Sequence, residues 1–178
     1  MNPIEILHKY LDPNDALFET VYTHSRSVAD MALRLLDRHP ELNADRRFVE
    51  EAALLHDIGV VMTDAPSIHC YGKEPYICHG FLGAEILRRE GYERHALVCE
   101  RHTGSGLTIK EIESQNLPVP HRDMSPKSIE EQLICFADKF YSKTHLDRER
   151  TPEQARKKLE PFGQDTLDRF DKWCESFL

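Results

Sequence analysis

Apolar residues recur along most of this chain at the three- and four-residue spacing of an α-helix. Val21, Val28, Met31 and Leu35 share one such stripe with His24, and this pattern marks the buried face of an amphipathic helix. No segment alternates apolar and polar residues over four or more positions with β-branched enrichment, so the pattern predicts no sheet. We therefore expect an all-α, single-domain helical bundle.

Capping and helix-breaking residues set the expected limits of the helices. Asn2-Pro3, Ser125-Pro126 and Thr151-Pro152 each place a capping side chain before a proline, which is typical of a helix start. The ranges 60–77 and 117–126 contain prolines without a helical period, so they are predicted to be irregular loops. Helices are predicted over about 3–11, from Asp12-Pro13 to His39, over about 44–56, from His79 to Gly91, over about 93–103 and from Ser125 to about Tyr141. A further helix is predicted to begin at Thr151, and the last helix contains Phe170 and Phe177.

The composition suits one domain of a globular protein. The chain has 178 residues, of which 30% are charged, and its net charge is −8. That charge argues against a protein that binds a nucleic-acid polymer, because it would repel the phosphate backbone. It leaves open a local cationic or metal site for a small anion. No run of about 18 apolar residues and no signal-peptide pattern is present, so we expect no membrane span and a cytoplasmic location.

Histidine, rather than cysteine, is the candidate metal ligand. The five cysteines are scattered without a CxxC pair, which argues against a disulfide framework or a thiolate zinc site. Among the ten histidines, His24 and His102 replace aliphatic residues on apolar helix faces, and Asp138 does the same on a third helix. His56-Asp57 ends a very apolar helix. Burying unpaired carboxylates at such places is costly, so these four positions together indicate a bound cation.

The order of these histidine and aspartate residues along the chain resembles the ligand pattern of the HD superfamily of metal-dependent phosphohydrolases, in the branch with a His-Asp-Ile-Gly signature. The resemblance covers about residues 20–143. It rests on His24, on Leu54-Leu55-His56-Asp57-Ile58-Gly59, on His79-Gly80-Phe81-Leu82-Gly83-Ala84-Glu85-Ile86-Leu87, on Arg101-His102-Thr103-Gly104 and on Ala137-Asp138-Lys139.

The resemblance implies a site for one or two divalent transition-metal ions. The first ion would be held by His24, His56, Asp57 and Asp138, and the second by His79 and His102, with Asp57 bridging the two. Imidazole and carboxylate ligands suit Fe, Mn, Co, Ni or Zn. The HD domain would cover 1–143, with its motif-bearing core at 20–143, and 144–178 would be a C-terminal helical extension packed on that core.

The same resemblance implies a phosphohydrolase that acts on a nucleotide or a related small phosphate compound. A metal-bound hydroxide would cleave a phosphate ester or anhydride. Asp57 and Lys139 are the candidate catalytic residues, and Lys139, His69, Lys73 and Arg122 are the candidates for binding substrate. The expected partner is this small phosphorylated substrate, with no nucleic-acid polymer and no membrane, and the aromatic helix near the C-terminus could form a homo-oligomer interface.

Two other functions fit the same ligand order. A di-iron oxygenase of this superfamily would use the same ligands to activate dioxygen, and the spacing of the ligands does not separate the two reactions. A non-catalytic sensor would bind a nucleotide through the metals without turnover. The sequence names neither the metal nor the substrate.

Overall fold

Nine α-helices make up most of the computed structural model, which describes residues 1–178. They are α1 (Pro3–Tyr10), α2 (Ala16–Arg38), α3 (Arg46–Leu55), α4 (His79–Arg89), α5 (Glu93–Arg101), α6 (Ile109–Ser114), α7 (Ile129–Asp138), α8 (Pro152–Leu159) and α9 (Gln164–Phe177). The two strands, β1 (Asp64–Ala65) and β2 (Cys70–Tyr71), pair antiparallel. The predicted all-α fold is confirmed. None of the helices has the length and apolar character that crossing a bilayer requires.

Side-chain caps explain where several helices begin. The Asn2 side chain accepts a hydrogen bond from the Ile4 amide at the start of α1. Thr151 and Gln154 form a reciprocal capping box at the start of α8, which satisfies backbone amides that the helix itself leaves free. The apolar stripe predicted for α2 is buried along its whole length, so α2 presents that face to the core.

The structure corrects the predicted start of the helix that carries Asp138. Ser125 does not begin it, because the Ser125 amide donates to Asp123 Oδ1 at 3.1 Å in a local turn. The helix starts at Ile129, where the Ser128 side chain accepts a hydrogen bond from the Glu131 amide. The capping pattern Ser128-x-x-Glu131 was therefore the relevant start signal.

The predicted irregular loop at 60–77 has local order. It contains short 3-10 turns and the β1–β2 ribbon, so the prediction of no sheet is wrong for these two short strands. The ribbon is tight at Gly72, where an added Cβ would lie 2.2 Å from the Met62 carbonyl oxygen. Glycine at this position allows the two backbones to approach.

The largest part of the core joins α2, α3 and α7 with the C-terminal helices α8 and α9. The Phe136 ring packs against the rings of Phe170 and Phe177, each at a centroid distance of 5.4 Å. Phe170, Trp173 and Phe177 are buried inside the chain, so this aromatic face of α9 is not available as a dimer surface. A second apolar cluster joins α1, α4 and α5 with the turn after α3.

Candidate metal centre

Five segments bring the six predicted ligands together. His24 lies in the middle of α2, His56-Asp57 directly follows α3, His79 is the first residue of α4, His102 directly follows α5, and Asp138 is the last residue of α7. The ligands therefore stand at or beside helix ends, except on α2. The four histidines and Asp57 are buried, and the Asp138 side chain is only slightly exposed.

His24, His56, Asp57 and Asp138 form the first cluster. His24 Nε2 lies 2.9 Å from Asp138 Oδ1 and 3.2 Å from Asp57 Oδ2. His56 Nε2 lies 3.0 Å from the same Asp57 oxygen and 3.4 Å from Asp138 Oδ1. One ligand atom from each residue lies within 4.8 Å of all the others, which is the spacing that a shared metal ion requires.

Asp57 also takes part in a second cluster through its other oxygen. Asp57 Oδ1 lies 3.5 Å from His79 Nε2 and 3.4 Å from His102 Nε2. The two imidazole nitrogens are 2.9 Å apart. The carboxylate of Asp57 therefore faces one cluster with each oxygen, as a bridge between two ions would.

Backbone carbonyls fix the orientation of three of the histidine rings. Nδ1 lies 2.6–2.7 Å from the carbonyl oxygen three residues earlier in His56, His79 and His102. Because a carbonyl oxygen only accepts, we assign a proton to Nδ1, so that Nε2 carries a lone pair whenever the ring is neutral. This arrangement is usual for histidines that bind a metal through Nε2.

The converging lone pairs fit a cation. Two Nε2 lone pairs 2.9 Å apart, in His79 and His102, repel each other unless a positive charge lies near both. Asp57 Oδ1 faces these two lone pairs at 3.4–3.5 Å and is buried without a hydrogen-bond donor in the protein. Buried polar atoms rarely remain unpaired, so this donor set fits divalent metal ions.

The charges of the cluster are strongly coupled. Burial lowers the pKa of His56, but the carboxylates of Asp57 and Asp138 together outweigh burial and raise that pKa to about 9. Burial raises the pKa of Asp57, but His56 and Lys143 hold it well below its usual range. In the second cluster, burial and the neighbouring His102 lower the pKa of His79 to about 3. Without a metal, the first cluster therefore carries a proton on His56, and the second does not hold one on His79.

Two lysines reach the carboxylates from the end of α7. Lys139 Nζ lies 2.7 Å from Asp138 Oδ2 and donates to the His102 carbonyl at 3.0 Å. Lys143 Nζ lies 2.6 Å from Asp57 Oδ2. Sequence reasoning proposed Lys139 and missed Lys143, because Lys143 lies in a turn after the helix where no periodic pattern points inward.

A cavity of about 430 Å³ opens onto the clusters. Its charged lining consists of Lys139, Lys143, Arg150 and Lys158 against the single carboxylate of Asp138. The cavity is therefore cationic in a protein whose net charge is −8. Its apolar lining comes from the loop before α4 and from the C-terminal segment, and includes Ala65, Ile68, Ile77, Ala155, Leu159 and Phe162.

Three candidate substrate-binding residues lie outside the lining of this cavity. His69 is exposed in a left-handed turn, with φ of 64°. Lys73 is exposed after β2. Arg122 is held by an ion pair with Glu100. The loop between the ligands does reach the cavity, but through Ser67, Tyr76 and other neighbours of these residues.

Gly59 sets the distance between the turn that follows Asp57 and helix α4, which carries His79. A Cβ on Gly59 would lie 2.0 Å from the His79 carbonyl oxygen and 2.3 Å from the Gly83 amide nitrogen. Both neighbours are backbone atoms, which cannot rotate away as a side chain can. Only glycine therefore allows the two segments to meet at this distance.

Comparison with known proteins agrees with this geometry. The profile of the HD domain family matches residues 21–142. A tRNA (cytidine(56)-2'-O)-methyltransferase of Picrophilus torridus is 36% identical over 125 residues, which are 70% of this chain and 32% of that protein. A protein of the same name from Thermoplasma volcanium is 31% identical over 140 residues, or 78% of this chain and 35% of the relative.

A third relative, an uncharacterized protein of Methanocaldococcus jannaschii, is 38% identical over 123 residues, which are 67% of this chain and 65% of that protein. This chain spans about a third of the length of the two named methyltransferases. No solved structure matches it significantly.

The names of these relatives overturn three predictions. Two relatives are named for methyl transfer to tRNA, so the predicted small-molecule phosphohydrolase is wrong, and with it the predicted enzyme class. The prediction that no nucleic-acid polymer is a partner is wrong for the same reason. The ligand motif is compatible with divalent metal binding but does not specify a reaction. Net charge is an average over the whole surface and does not exclude a cationic cavity.

Proposed function

This chain belongs to the HD domain family, and on that premise we propose that it is a metal-dependent tRNA-binding domain that serves methylation of a ribose 2'-hydroxyl. The metal clusters and their lysines would hold a phosphate of the RNA, and the surrounding cavity would receive the nucleotide that carries it. When bound, a divalent ion supplies positive charge and Lewis acidity to an oxygen of the RNA.

The balance of buried charge carries this proposal. The carboxylates of Asp57 and Asp138 are already paired with the ammonium groups of Lys143 and Lys139. Every divalent ion that binds therefore adds net positive charge to the site. An anionic ligand offsets it, and a phosphate group with its oxygens is the anion that RNA provides.

The rim of the cavity supports an RNA ligand in a second way. Tyr76 is 38% exposed, and the centroid of its ring lies 5.7 Å from Lys143 Nζ. Tyr76 also lines the cavity. Exposed aromatic rings beside cationic groups offer a stacking surface for unpaired bases. The names of the two methyltransferase relatives support tRNA as the source of that RNA.

The donor set also bears on the metal. Four imidazoles and two carboxylates suit Fe, Mn, Co, Ni or Zn better than an all-oxygen site would. We propose two ions, one held by His24, His56, Asp57 and Asp138 and the other by Asp57, His79 and His102. Metal analysis of the purified chain, combined with titration of the chelated protein, would count them. A single ion retained after His79→Ala would fit this assignment.

Binding of an unmodified tRNA transcript tests the proposed function. We expect chelation to weaken binding at least about tenfold, because the uncompensated positive charge is then lost. Lys158→Ala should weaken binding and lower the salt dependence by about one phosphate contact. Lys110→Ala is the matched control, because Lys110 is exposed, lies outside the cavity and pairs with Asp165 at 2.8 Å. Binding that neither chelation nor Lys158→Ala changes would overturn the proposal.

A second arm tests the link to methylation. The same tRNA is prepared with and without a 2'-O-methyl group on cytidine 56, the nucleotide in the names of the relatives. We expect the unmethylated tRNA to bind more tightly, because a methylated product must leave. Equal affinity for the two would leave a metal-dependent tRNA-binding domain without a role in this methylation.

A further inference from the structure

We propose that Lys143 is a movable cation: it neutralises Asp57 when no metal is bound, and it binds the anionic ligand once a metal has taken its place. The inference rests on the proposed function only in that the ligand is an anion. Lys143 belongs to none of the motif segments, and it lies 86 residues after Asp57 in the chain.

The two lysines of the site use different oxygens. Lys139 contacts Asp138 Oδ2, whereas the histidines face Asp138 Oδ1. A metal on Oδ1 therefore leaves Lys139 where it is. Lys143 contacts Asp57 Oδ2, and this is the oxygen that His24 and His56 also face.

An ammonium group and a divalent ion cannot share that oxygen. Lys143 Nζ is 2.6 Å from Asp57 Oδ2, and His56 Nε2 is 3.0 Å from it. A metal held by these two groups would lie within a few ångströms of the ammonium, where like charges in a buried site repel strongly. Metal binding to the first cluster therefore requires that Lys143 move.

The cavity is where Lys143 can go. Its side chain lines the cavity and is 10% exposed, and Asp57 is its only ion-pair partner. Nζ lies 5.7 Å from the centroid of the Tyr76 ring at the cavity wall, a distance at which a cation is still attracted to the ring. A ligand phosphate in the cavity would offer the displaced ammonium a new partner.

The backbone before Lys143 stays in place during this movement. The Arg150 guanidinium donates to the Tyr141 carbonyl at 2.7 Å and to the Lys139 carbonyl at 3.1 Å, and the Arg150 amide donates to Phe140 at 2.7 Å. These bonds fix the turn that carries Lys143. Rotation about the four-carbon side chain is then sufficient to transfer the ammonium.

If Lys143 occupies these two positions, it has opposite effects on the binding of the metal and on the binding of the anion. Removing its charge should strengthen metal binding, because the metal no longer competes with the ammonium for Asp57. The same change should weaken anion binding to the metal-loaded protein, because the anion loses its partner. A residue that only supports the fold would weaken both.

The test measures both affinities by calorimetry, with Mn²⁺ added to chelated protein and inorganic phosphate added to metal-loaded protein. Lys143→Met should bind the first Mn²⁺ about tenfold more tightly and phosphate about tenfold more weakly, a size that is ordinary for two coupled ligands. Lys158→Met is the matched control. Lys158 lines the same cavity without pairing with a ligand carboxylate, so only its phosphate affinity should fall.

The outcomes separate this inference from the proposed function. Weakening of both ligands in Lys143→Met, or a change in neither, would overturn the movable cation. If Lys143→Met melts below wild type, Lys143→Gln is measured in the same way, since it keeps most of the side chain. Because neither probe contains RNA, the opposite effects could appear even if tRNA does not bind, and metal-dependent tRNA binding could appear without them.

Discussion

Two buried polar groups of residues in this protein differ in how they are satisfied. The first is the metal centre, and the second is the network formed by Glu111, Arg169, Thr108 and Thr166, which we call the Glu111 network. Glu111 accepts bonds of 2.8–2.9 Å from Arg169, from Thr166 and from the amide and hydroxyl of Thr108. Arg169 also donates to the carbonyls of Ser105 and Gly106.

The difference separates stability from function. The Glu111 network joins α6 to α9 and supplies all its own partners, so it can only hold the structure together. The metal centre leaves Asp57 Oδ1 without a hydrogen-bond donor and places the Nε2 lone pairs of His79 and His102 beside it. A protein retains such costly atoms when something outside its own chain satisfies them. The following predictions test this contrast.

The largest effect on folding is expected in the Glu111 network. Glu111→Ala leaves Arg169 partly buried without its carboxylate, and breaking such a pair costs about 3–5 kcal/mol. We expect the free energy of unfolding to fall by about that amount in urea, with the number of bound metal ions unchanged. Glu113→Ala, at an exposed position of the same helix, should change it by less than about 0.5 kcal/mol. A loss of metal in Glu111→Ala would break the contrast.

The largest effect on metal binding is expected at Asp57. Asp57→Asn removes the carboxylate that faces both clusters. Loss of a residue that only hydrogen-bonds to a metal ligand can lower metal affinity up to about 100-fold, so the loss of Asp57 should lower the affinity for both ions by more than about 100-fold. Metal titration followed by calorimetry measures this. Asp165→Asn changes an exposed carboxylate and should bind metal as wild type does. An Asp57→Asn protein with both ions still bound would contradict the bridging role.

Metal should stabilise the folded protein through the same atoms. Free metal at 100 times its dissociation constant should add about 2.7 kcal/mol to the free energy of unfolding. Glu111→Ala should gain as much as wild type, since its network is separate from the ligands, and Asp57→Asn should gain almost nothing. Denaturation with and without metal gives each value. An equal gain in Asp57→Asn would show that the ions bind elsewhere.

The smallest of these effects is the dependence on pH. His56 has a pKa of about 9 in the metal-free protein, above the ordinary value of 6.5, so metal must displace a proton from it at neutral pH. Metal affinity should rise about tenfold, or about 1.4 kcal/mol, per pH unit up to about pH 9. Calorimetry in buffers of different ionisation enthalpy should find about one proton released at pH 7.5.

The metal-free protein should show the opposite trend. The raised pKa of His56 contributes stability that is fully present below pH 6.5 and is lost as the pH rises toward 9. Unfolding measured in chelator should therefore show falling stability over this interval. Constant stability together with pH-independent metal affinity would mean that His56 carries no proton in the metal-free protein.

Much of the architecture could be predicted from spacing alone. The buried stripe of α2 and the capping pairs at α1 and α8 depend on neighbours within four residues, and local rules describe these well. The start of α7 was misread because Ser125-Pro126 and Ser128-x-x-Glu131 both resemble helix starts. The local turn at Asp123 decided between them, and its hydrogen bond is not visible in the residue pattern.

In the candidate metal centre, too, some residues could be predicted from the sequence and others could not. The six clustered residues were found because a polar group on an apolar helix face is conspicuous, and because their order resembles a known family. Lys143 stands in a turn, so only the folded chain shows that it reaches Asp57. The reaction could not be read from the ligands, since the same set of imidazoles and carboxylates serves more than one purpose.

The contact between Gly59 and helix α4 makes this centre vulnerable at a position that binds nothing. A single methyl group at Gly59 would push the turn after Asp57 away from helix α4. The distance between Asp57 and His79 would then increase, although every ligand remained in the sequence. The integrity of the pair of sites thus depends on a hydrogen atom in place of a side chain. A substitution at Gly59 could therefore weaken the proposed second ion site without changing a single histidine.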